Sequence, residues 1–283
     1  MATESWVVAG PQIIEVERVT ALRAQLVAGR VDVVVHDEPG ARLEVHDVDG
    51  RPLEVTLSDD GELRVGYSFT LGGWEGFLEK FRNFRGKDRA DVHIAVPREI
   101  HVKLGTVTAD GLLAGVAQDG SVSTVSGSLV TDRTRGRLVA NTVSGEIVVR
   151  DHTGDLKLNS VSGELAASGD LSLVAANSVS GALSLDITSS TSSVTASTVS
   201  GDVTVRLPEG AGVRVQARTV SGRLVVDGDE YRGSSPGQRQ ADLRTGDGAC
   251  FLQANTVSGH VTVLRGMVNA AASPGGGGSG AQR

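Results

Sequence analysis

The chain has 283 residues, and its composition favours short strands joined by tight turns. Glycine accounts for 37 residues, about 13% against a usual ~7%, and valine for 41, whereas aromatic residues make up only 3%. This composition argues against a helical bundle, and the absence of a Gly-X-Y period excludes collagen. The formal net charge of −7 provides no overall basic surface, so we expect no nucleic acid partner.

The sequence has one cysteine and no recognisable targeting signal. The single cysteine, Cys250, excludes an intrachain disulfide and a multi-cysteine metal site, and we expect it to be a small buried residue. The N-terminal residues lack the basic start and long apolar core of a signal peptide, and no apolar run approaches ~20 residues. The prediction is therefore a cytoplasmic protein without a cofactor or a bound metal.

Taken in chain order, the sequence divides into four predicted regions. Residues 1–21 are predicted to form an N-terminal strand and cap. Residues 22–89 carry glycines ten or eleven residues apart among alternating apolar residues, which predicts irregular β coils. Residues 90–269 predict regular β repeats, interrupted by a polar loop, and the glycine-rich residues 270–283 predict a flexible tail.

The segment 72–89 interrupts the β pattern of the second region. Its apolar residues fall at i, i+3, i+4 and i+7, which is one face of a short amphipathic helix. Two predictions stay open, because the helix could cap exposed strand edges or dock to a protein partner. Five basic against three acidic residues give a net charge of +2, which is low for a helix that contacts a membrane surface. The candidate partner-binding residues are Trp74, Phe77, Phe81, Phe84, Arg82 and Arg85.

An internal repeat dominates the third region. The tripeptide Val-Ser-Gly occurs seven times, always after Ser or Thr, and its first four copies, beginning at Val125, are 18 residues apart. A unit of two short strands and two glycine turns is too small to fold alone, so the units must stack to share a core. The sequence therefore predicts an all-β fold, a right-handed parallel β-solenoid of ~18-residue coils with one short amphipathic helix insertion.

The repeated (Ser/Thr)-Val-Ser-Gly units, with proline-led strands between them, resemble the bacterial "putative adhesin" β-strand-repeat family, a domain of unknown function. The resemblance covers roughly residues 90–268 and extends less closely over residues 10–90. It implies a repeat architecture and an adhesin-like role, and it brings no catalytic residues with it.

The residues on either side of each motif valine form a second candidate site. If each valine points into the core, its neighbours point outward and stack into two columns of hydroxyl groups. Two interpretations stay open: turn chemistry with hydroxyl pairs between neighbouring repeats, or a flat hydroxyl surface for an ordered ligand such as a glycan or ice. The candidate surface ladder is Thr142, Ser144, Ser160, Ser162, Ser178, Ser180, Thr198 and Ser200.

Carboxylates give a weaker signal for catalysis. Glu146, Glu164 and Asp202 each follow a turn glycine, a place where charged columns are usually only solvated. The predicted function is therefore a non-enzymatic β-solenoid scaffold or protein-interaction module with an unknown protein partner. The alternatives are a carbohydrate-binding or carbohydrate-active β-helix protein and a self-assembling homo-oligomer, because a C-terminal coil at residues 261–264 would expose an unpaired edge.

Overall fold

A computed structural model describes residues 4–67, 88–232 and 239–266. All regular secondary structure in these ranges is β-strand, and they contain no helix, hence none that could cross a membrane. The strands, numbered in chain order, are β1 (Glu4–Val8), β2 (Gln12–Val16), β3 (Ala21–Leu26), β4 (Ala28–His36), β5 (Ala41–Asp49), β6 (Leu53–Leu57), β7 (Glu62–Gly66), β8 (Arg89–Pro97), β9 (His101–Thr106), β10 (Asp110–Ala114), β11 (Gly120–Thr124), β12 (Leu129–Asp132), β13 (Arg135–Thr142), β14 (Ile147–Ser160), β15 (Leu165–Ser178), β16 (Leu183–Ile187), β17 (Ser192–Thr198), β18 (Val203–Pro208), β19 (Val213–Thr219), β20 (Leu224–Val226), β21 (Asp229–Glu230), β22 (Arg239–Thr245), β23 (Cys250–Thr256) and β24 (Val261–Gly266).

These strands form one mixed sheet with two faces. Face A runs, in hydrogen-bonded order, through β1, β6, β7, β3, β9, β11, β13, β14, β15, β17, β23, β19 and β22. Face B runs through β2, β5, β8, β4, β10, β12, β14, β15, β16, β18, β24, β20 and β21. Because β14 and β15 belong to both faces, the sheet wraps around its core as a nearly closed barrel.

Alternation of side chains explains why these segments become strands. In β17, and in β13 from Leu138 onward, every second residue is buried, which is the period of a strand with one side against a core. The core side chains are mainly valine, leucine, isoleucine and alanine, for example Leu138, Leu156 and Val194, each at most 2% exposed. A narrow interior filled by aliphatic side chains explains the small aromatic content of the sequence.

The middle of the sheet stacks in chain order. From β9 to β15 the face A strands are parallel, and a residue pairs with one 18 positions further along, as in Ser121 with Val139 and Val139 with Lys157. We call one face A strand, the following face B strand and their two corners a rung. From β11 onward the first corner of each rung carries the Val-Ser-Gly motif, whereas the corner after β9 is Val107-Thr108-Ala109. The second corner, for example at residues 150–153, leads back from face B to face A.

The two ends do not follow chain order. Near the N-terminus β3 lies between β7 and β9, and β4 lies between β8 and β10. Near the C-terminus β23 lies between β17 and β19, and β24 lies between β18 and β20. Antiparallel pairs complete both ends, with β1 on β6, β2 on β5, β5 on β8, β6 on β7, β19 on β22 and β20 on β21.

The prediction of a right-handed parallel β-solenoid is therefore wrong, and only the all-β class is confirmed. Six pairings among the described residues are antiparallel, so the sheet is mixed. Side chains alternate with a period of two in parallel and antiparallel strands alike, so the sequence pattern could not separate them. The predicted helix insertion, 72–89, lies outside the described residues except for Asp88 and Arg89, and Arg89 begins β8.

The predicted open edge at the C-terminal coil is also wrong. Strand β24 contains residues 261–264, and it pairs with β18 on one side and β20 on the other. The last described strand of the chain is thus an interior strand of face B. This strand therefore has no unpaired edge through which copies of the chain could assemble.

Candidate functional site

Each Val-Ser-Gly motif forms a tight corner closed by the side chain that precedes it. Backbone N–H groups of Gly201 and Gly259 each donate to the hydroxyl three residues earlier, at 3.0 Å from Thr198 Oγ1 and 3.0 Å from Thr256 Oγ1. Ser and Thr hydroxyls stabilise turns in this way. The preceding Ser or Thr is therefore a structural part of the corner.

The orientation predicted for the motif holds for the first copy, whose Val125 is buried, but it is inverted in most of the others. The motif valines from the third copy onward point outward, and they are 43% to 52% exposed. The preceding residues Thr142, Ser160, Ser178 and Thr198 are buried instead. Because strand residues alternate sides, burying the hydroxyl-bearing residue turns the adjacent valine toward solvent.

All eight hydroxyls of the predicted ladder are engaged within the protein. Two of the buried four donate to the carbonyl of the motif glycine, Thr142 to Gly145 and Ser160 to Gly163. The other two accept from the glycine N–H, Ser178 from Gly181 and Thr198 from Gly201. The outer four donate to a valine carbonyl one rung away: Ser144 to Val125, Ser162 to Val143, Ser180 to Val161 and Ser200 to Val179. These contacts favour the turn-chemistry interpretation, and binding of a glycan or ice stays a prediction.

The motif glycines lie in a column where the rungs approach most closely. A Cβ on Gly163 would stand 2.0 Å from the carbonyl oxygen of Gly145, and one on Gly181 would stand 1.9 Å from that of Gly163. No side chain fits in such a space, so these glycines are required by contact with the neighbouring rung.

The exposed valines form a straight feature, which we call the valine row. In spatial order it contains Val161, Val179, Val199, Val257 and Val220. Adjacent strands lie about 4.8 Å apart, so the row is roughly 19 Å long. Sequence reasoning missed this row because it placed the valines in the core.

The second corner carries a groove on the other edge of face B, with a volume of about 390 Å³. Three of its lining residues are arginines, Arg98, Arg133 and Arg135, and one is an acid, Asp151. The remaining lining residues are Val34, Val35, Ala114, Gly115, Ala117 and Thr153. We call this feature the arginine groove.

The backbone of the arginine groove is unusual at two positions. Arg133 and Asp151 have φ angles of 48° and 49°, in the left-handed region that non-glycine residues seldom adopt. The equivalent position on the preceding rung is Gly115, also with positive φ. The second corner thus requires a residue with a positive φ angle. On two rungs that residue is charged, and its side chain lines the groove.

His152 lies buried between Asp151 and Thr153. Its Nδ1 is 2.9 Å from Thr134 Oγ1, and its Nε2 is 3.2 Å from the carbonyl oxygen of Asp155. Burial lowers the pKa of His152 below its usual value. Sequence reasoning assigned His152 no role, although its position seven residues after the motif glycine Gly145 places it where the second corner forms.

Arg51 contacts Tyr67 and Asp88, which are the described residues nearest to the predicted partner-binding residues on either side. The guanidinium of Arg51 donates to Asp88 Oδ2, at 2.6 Å from Nη2, and lies 5.5 Å from the centre of the Tyr67 ring. Hydrogen bonds from Arg51 lower the pKa of Asp88, and burial raises the pKa of Tyr67 to about 12. The predicted partner-binding residues themselves, Trp74, Phe77, Phe81, Phe84, Arg82 and Arg85, lie outside the described residues.

The acidic column of the sequence analysis is exposed. Glu146 and Glu164 lie at the first corners of neighbouring rungs, and the rung that carries Ala182 separates Glu164 from Asp202. Across residues 4–67, 88–232 and 239–266, no group of three or more His, Cys, Asp or Glu side chains is arranged to hold a metal ion.

Comparison with known families identifies the fold's relatives. The model of the Toastrack DUF4097 family matches residues 25–264. The chain belongs to this family. The match supports the resemblance inferred from the sequence, while the seven Ser/Thr-Val-Ser-Gly copies are not themselves tested by it. No curated protein matches this Toastrack chain.

Three solved structures are similar to this Toastrack chain. A "putative lipid binding protein" from Parabacteroides distasonis is 11% identical, with a TM-score of 0.50, and the match covers 90% of this chain and 97% of that one. A "putative adhesin" from the same species is 12% identical, with a TM-score of 0.46 and coverage of 93% and 97%. A "putative adhesin" from Bacteroides fragilis is 14% identical, with a TM-score of 0.40 and coverage of 90% and 97%. Because the sequence identity is only 11%, the structure of the "putative lipid binding protein" shows that the fold is shared and shows nothing about function.

Proposed function

We propose that the protein is a non-enzymatic, adhesin-like scaffold that contacts a protein partner through the valine row. The observation that carries this proposal is the alignment of five half-exposed valines on consecutive rungs. Single exposed apolar residues are ordinary, but an aligned set forms a continuous strip that a partner's apolar side chains can cover.

The rungs hold the valine row in place before any partner arrives. At Ser162 the backbone N–H donates to the Val143 carbonyl at 2.7 Å, and the hydroxyl donates to the same oxygen at 3.1 Å. The same arrangement recurs at Ser180 with Val161. A row fixed by such contacts loses little conformational entropy on binding, which favours association.

Site-specific cross-linking tests this function. A photoreactive amino acid replaces Val179 in the row or, as a control, Lys157, which is exposed on face A. In cells of the source organism, we expect one defined cross-linked product from position 179 and none from position 157. Changing Val161 and Val199 to Ser should abolish that product without altering the melting temperature by more than a few degrees. Equal cross-linking at both positions, or none at position 179 in folded protein, would contradict the proposal.

Binding of a small ligand is the second candidate function, because the arginine groove provides a concave site with charged and apolar walls. It would fit the carbohydrate-binding alternative, and one similar structure is described as a lipid binding protein. Partner identity, the docking role of residues 72–89 and a cytoplasmic location stay predictions from the sequence.

A further inference from the structure

We propose that the arginine groove binds a small hydroxylated anion, held by its carboxylate or phosphate group. This inference does not depend on the valine row, which lies at the opposite corner of each rung. It rests on three properties of the groove: its charge, its mixed walls and its fixed backbone.

The lining of the groove is positively charged, whereas the whole protein is negatively charged. Its lining contributes three guanidinium groups and one carboxylate, a net charge of +2 (3 − 1), whereas the chain carries −7. Arg133 Nε lies 2.8 Å from Asp132, and Arg98 lies 4.0 Å from the exposed Asp37. Arg135 has no ion pair with any residue in the described ranges, so its guanidinium is the most available donor.

Guanidinium groups select the chemistry of the ligand. Arginine presents a planar fork of N–H donors that matches the two oxygens of a carboxylate or phosphate, and it stays charged at all physiological pH values. The groove therefore favours an oxyanion over a neutral ligand.

The other walls indicate what carries the oxyanion. Val34, Val35, Ala114 and Ala117 offer apolar surface, while Asp151 and Thr153 offer oxygen acceptors for hydroxyl groups. A volume of about 390 Å³ lies within the range of small-molecule sites. An acidic monosaccharide or a sugar phosphate combines all three features: an oxyanion, hydroxyl groups and an apolar ring face.

The groove is also held in a fixed geometry. The N–H of Arg133 donates to the Arg150 carbonyl at 3.0 Å, and the N–H of Arg135 donates to the Val116 carbonyl at 2.8 Å. These bonds anchor the backbone around Arg133, which has the left-handed conformation. Costly backbone conformations persist where the surrounding structure fixes them, and they concentrate at functional sites.

Calorimetric titration tests the proposal with four probes: glucuronate, glucose 6-phosphate, glucose and inorganic phosphate. We expect saturable binding of glucuronate or glucose 6-phosphate, weakened by added salt, and no binding of glucose. The two anionic sugars distinguish a carboxylate from a phosphate ligand. Inorganic phosphate should bind at least ten-fold more weakly than the better sugar anion, and equal affinity would overturn the assignment of a hydroxylated ligand.

Variants connect the binding to the groove. Arg135→Gln should weaken the better sugar anion at least ten-fold, and Asp151→Asn should weaken it several-fold while Asn tolerates the left-handed backbone. Arg206→Gln is the matched control, because Arg206 is an exposed arginine that pairs with Asp186 on face B. All three variants should keep the circular dichroism spectrum of the parent. Absence of saturable binding to the folded parent, or an equal loss in Arg135→Gln and Arg206→Gln, would overturn the proposal. Neither result would affect the cross-linking test of the valine row.

Discussion

The middle rungs and the two ends of the sheet achieve the same packing in different ways. From β9 to β15 the rungs follow chain order with parallel partners 18 residues apart. At the ends, whole rungs are inserted out of order, β3 and β4 near one end and β23 and β24 near the other. Antiparallel strands then cover the outer edges, which reduces the exposure of unpaired backbone groups.

The column of motif glycines shows that the order of the rungs can differ from chain order while the contacts between neighbouring rungs stay the same. A Cβ on Gly259 would stand 1.9 Å from the Gly201 carbonyl oxygen, and one on Gly222 would stand 1.7 Å from that of Gly259. The inserted rung thus makes the same close approach as Gly163 makes to Gly145 in the middle. Because each motif presents the same surface above and below, a rung such as β23 and β24 can be inserted out of chain order and still keep these contacts.

Disulfide trapping tests the stacking order with the largest expected effect. In a Cys250→Ala background, cysteines at positions 197 and 255 should oxidise almost completely, because Ser197 and Asn255 are direct partners on adjacent strands and lie within disulfide range. Cysteines at positions 197 and 218 should give at least ten-fold less product, because β23 separates them. Stacking in chain order would reverse the two yields, which non-reducing electrophoresis reports directly.

The second largest effect is expected when a glycine of the motif column is replaced by alanine. Gly163→Ala places a methyl group against the Gly145 backbone, which cannot move without shifting a rung, and should cost about 3 kcal/mol or more of unfolding free energy. Gly10→Ala, near the N-terminal end, meets nothing within 4 Å and should change the stability by less than ~0.5 kcal/mol. Chemical denaturation measures both, and similar losses would refute the idea that close approach of rungs requires glycine.

The sequence was informative about the rungs and misleading about their arrangement. Alternating apolar residues and regular glycines were enough to predict an all-β fold. The same pattern could not reveal that β24 is an interior strand, because near-identical motifs can stack in more than one order. It also placed the motif valines inside, since alternation defines two sides of a strand without saying which is buried. Arg98 and Arg135 are 37 residues apart in the chain, so only the folded corners bring them to one groove.

The buried His152 provides a test of the second corner through pH. Its pKa is lowered in the folded state, so below about pH 6.5 the unfolded chain takes up a proton that the folded chain resists. Stability is therefore fully present above about pH 6.5 and falls below it, by up to ~1.4 kcal/mol per pH unit from this group.

Denaturation at a series of pH values measures this dependence. His152→Gln should flatten the slope between pH 6.5 and 5, whereas His46→Asn, at an exposed position, should leave it unchanged. If His152→Gln does not fold, nuclear magnetic resonance of the parent decides the question. A His152 imidazole that becomes protonated near pH 6.5 would contradict the prediction.

The smallest expected effect on stability comes from a ladder of hydrogen-bonded asparagine side chains. The ladder is present on the middle rungs and does not continue to the inserted rung near the C-terminus. Asn159 Nδ2 donates to Asn141 Oδ1 at 2.9 Å, and Asn177 Nδ2 donates to Asn159 Oδ1 at 3.4 Å. Asn255 faces the same side on the inserted rung, but it makes no side-chain hydrogen bond with the described residues. Asn159→Ala should therefore lower the unfolding free energy by about 1 kcal/mol, and Asn255→Ala by less than ~0.5 kcal/mol. Equal losses in thermal denaturation would mean that the ladder adds no stability to the middle rungs.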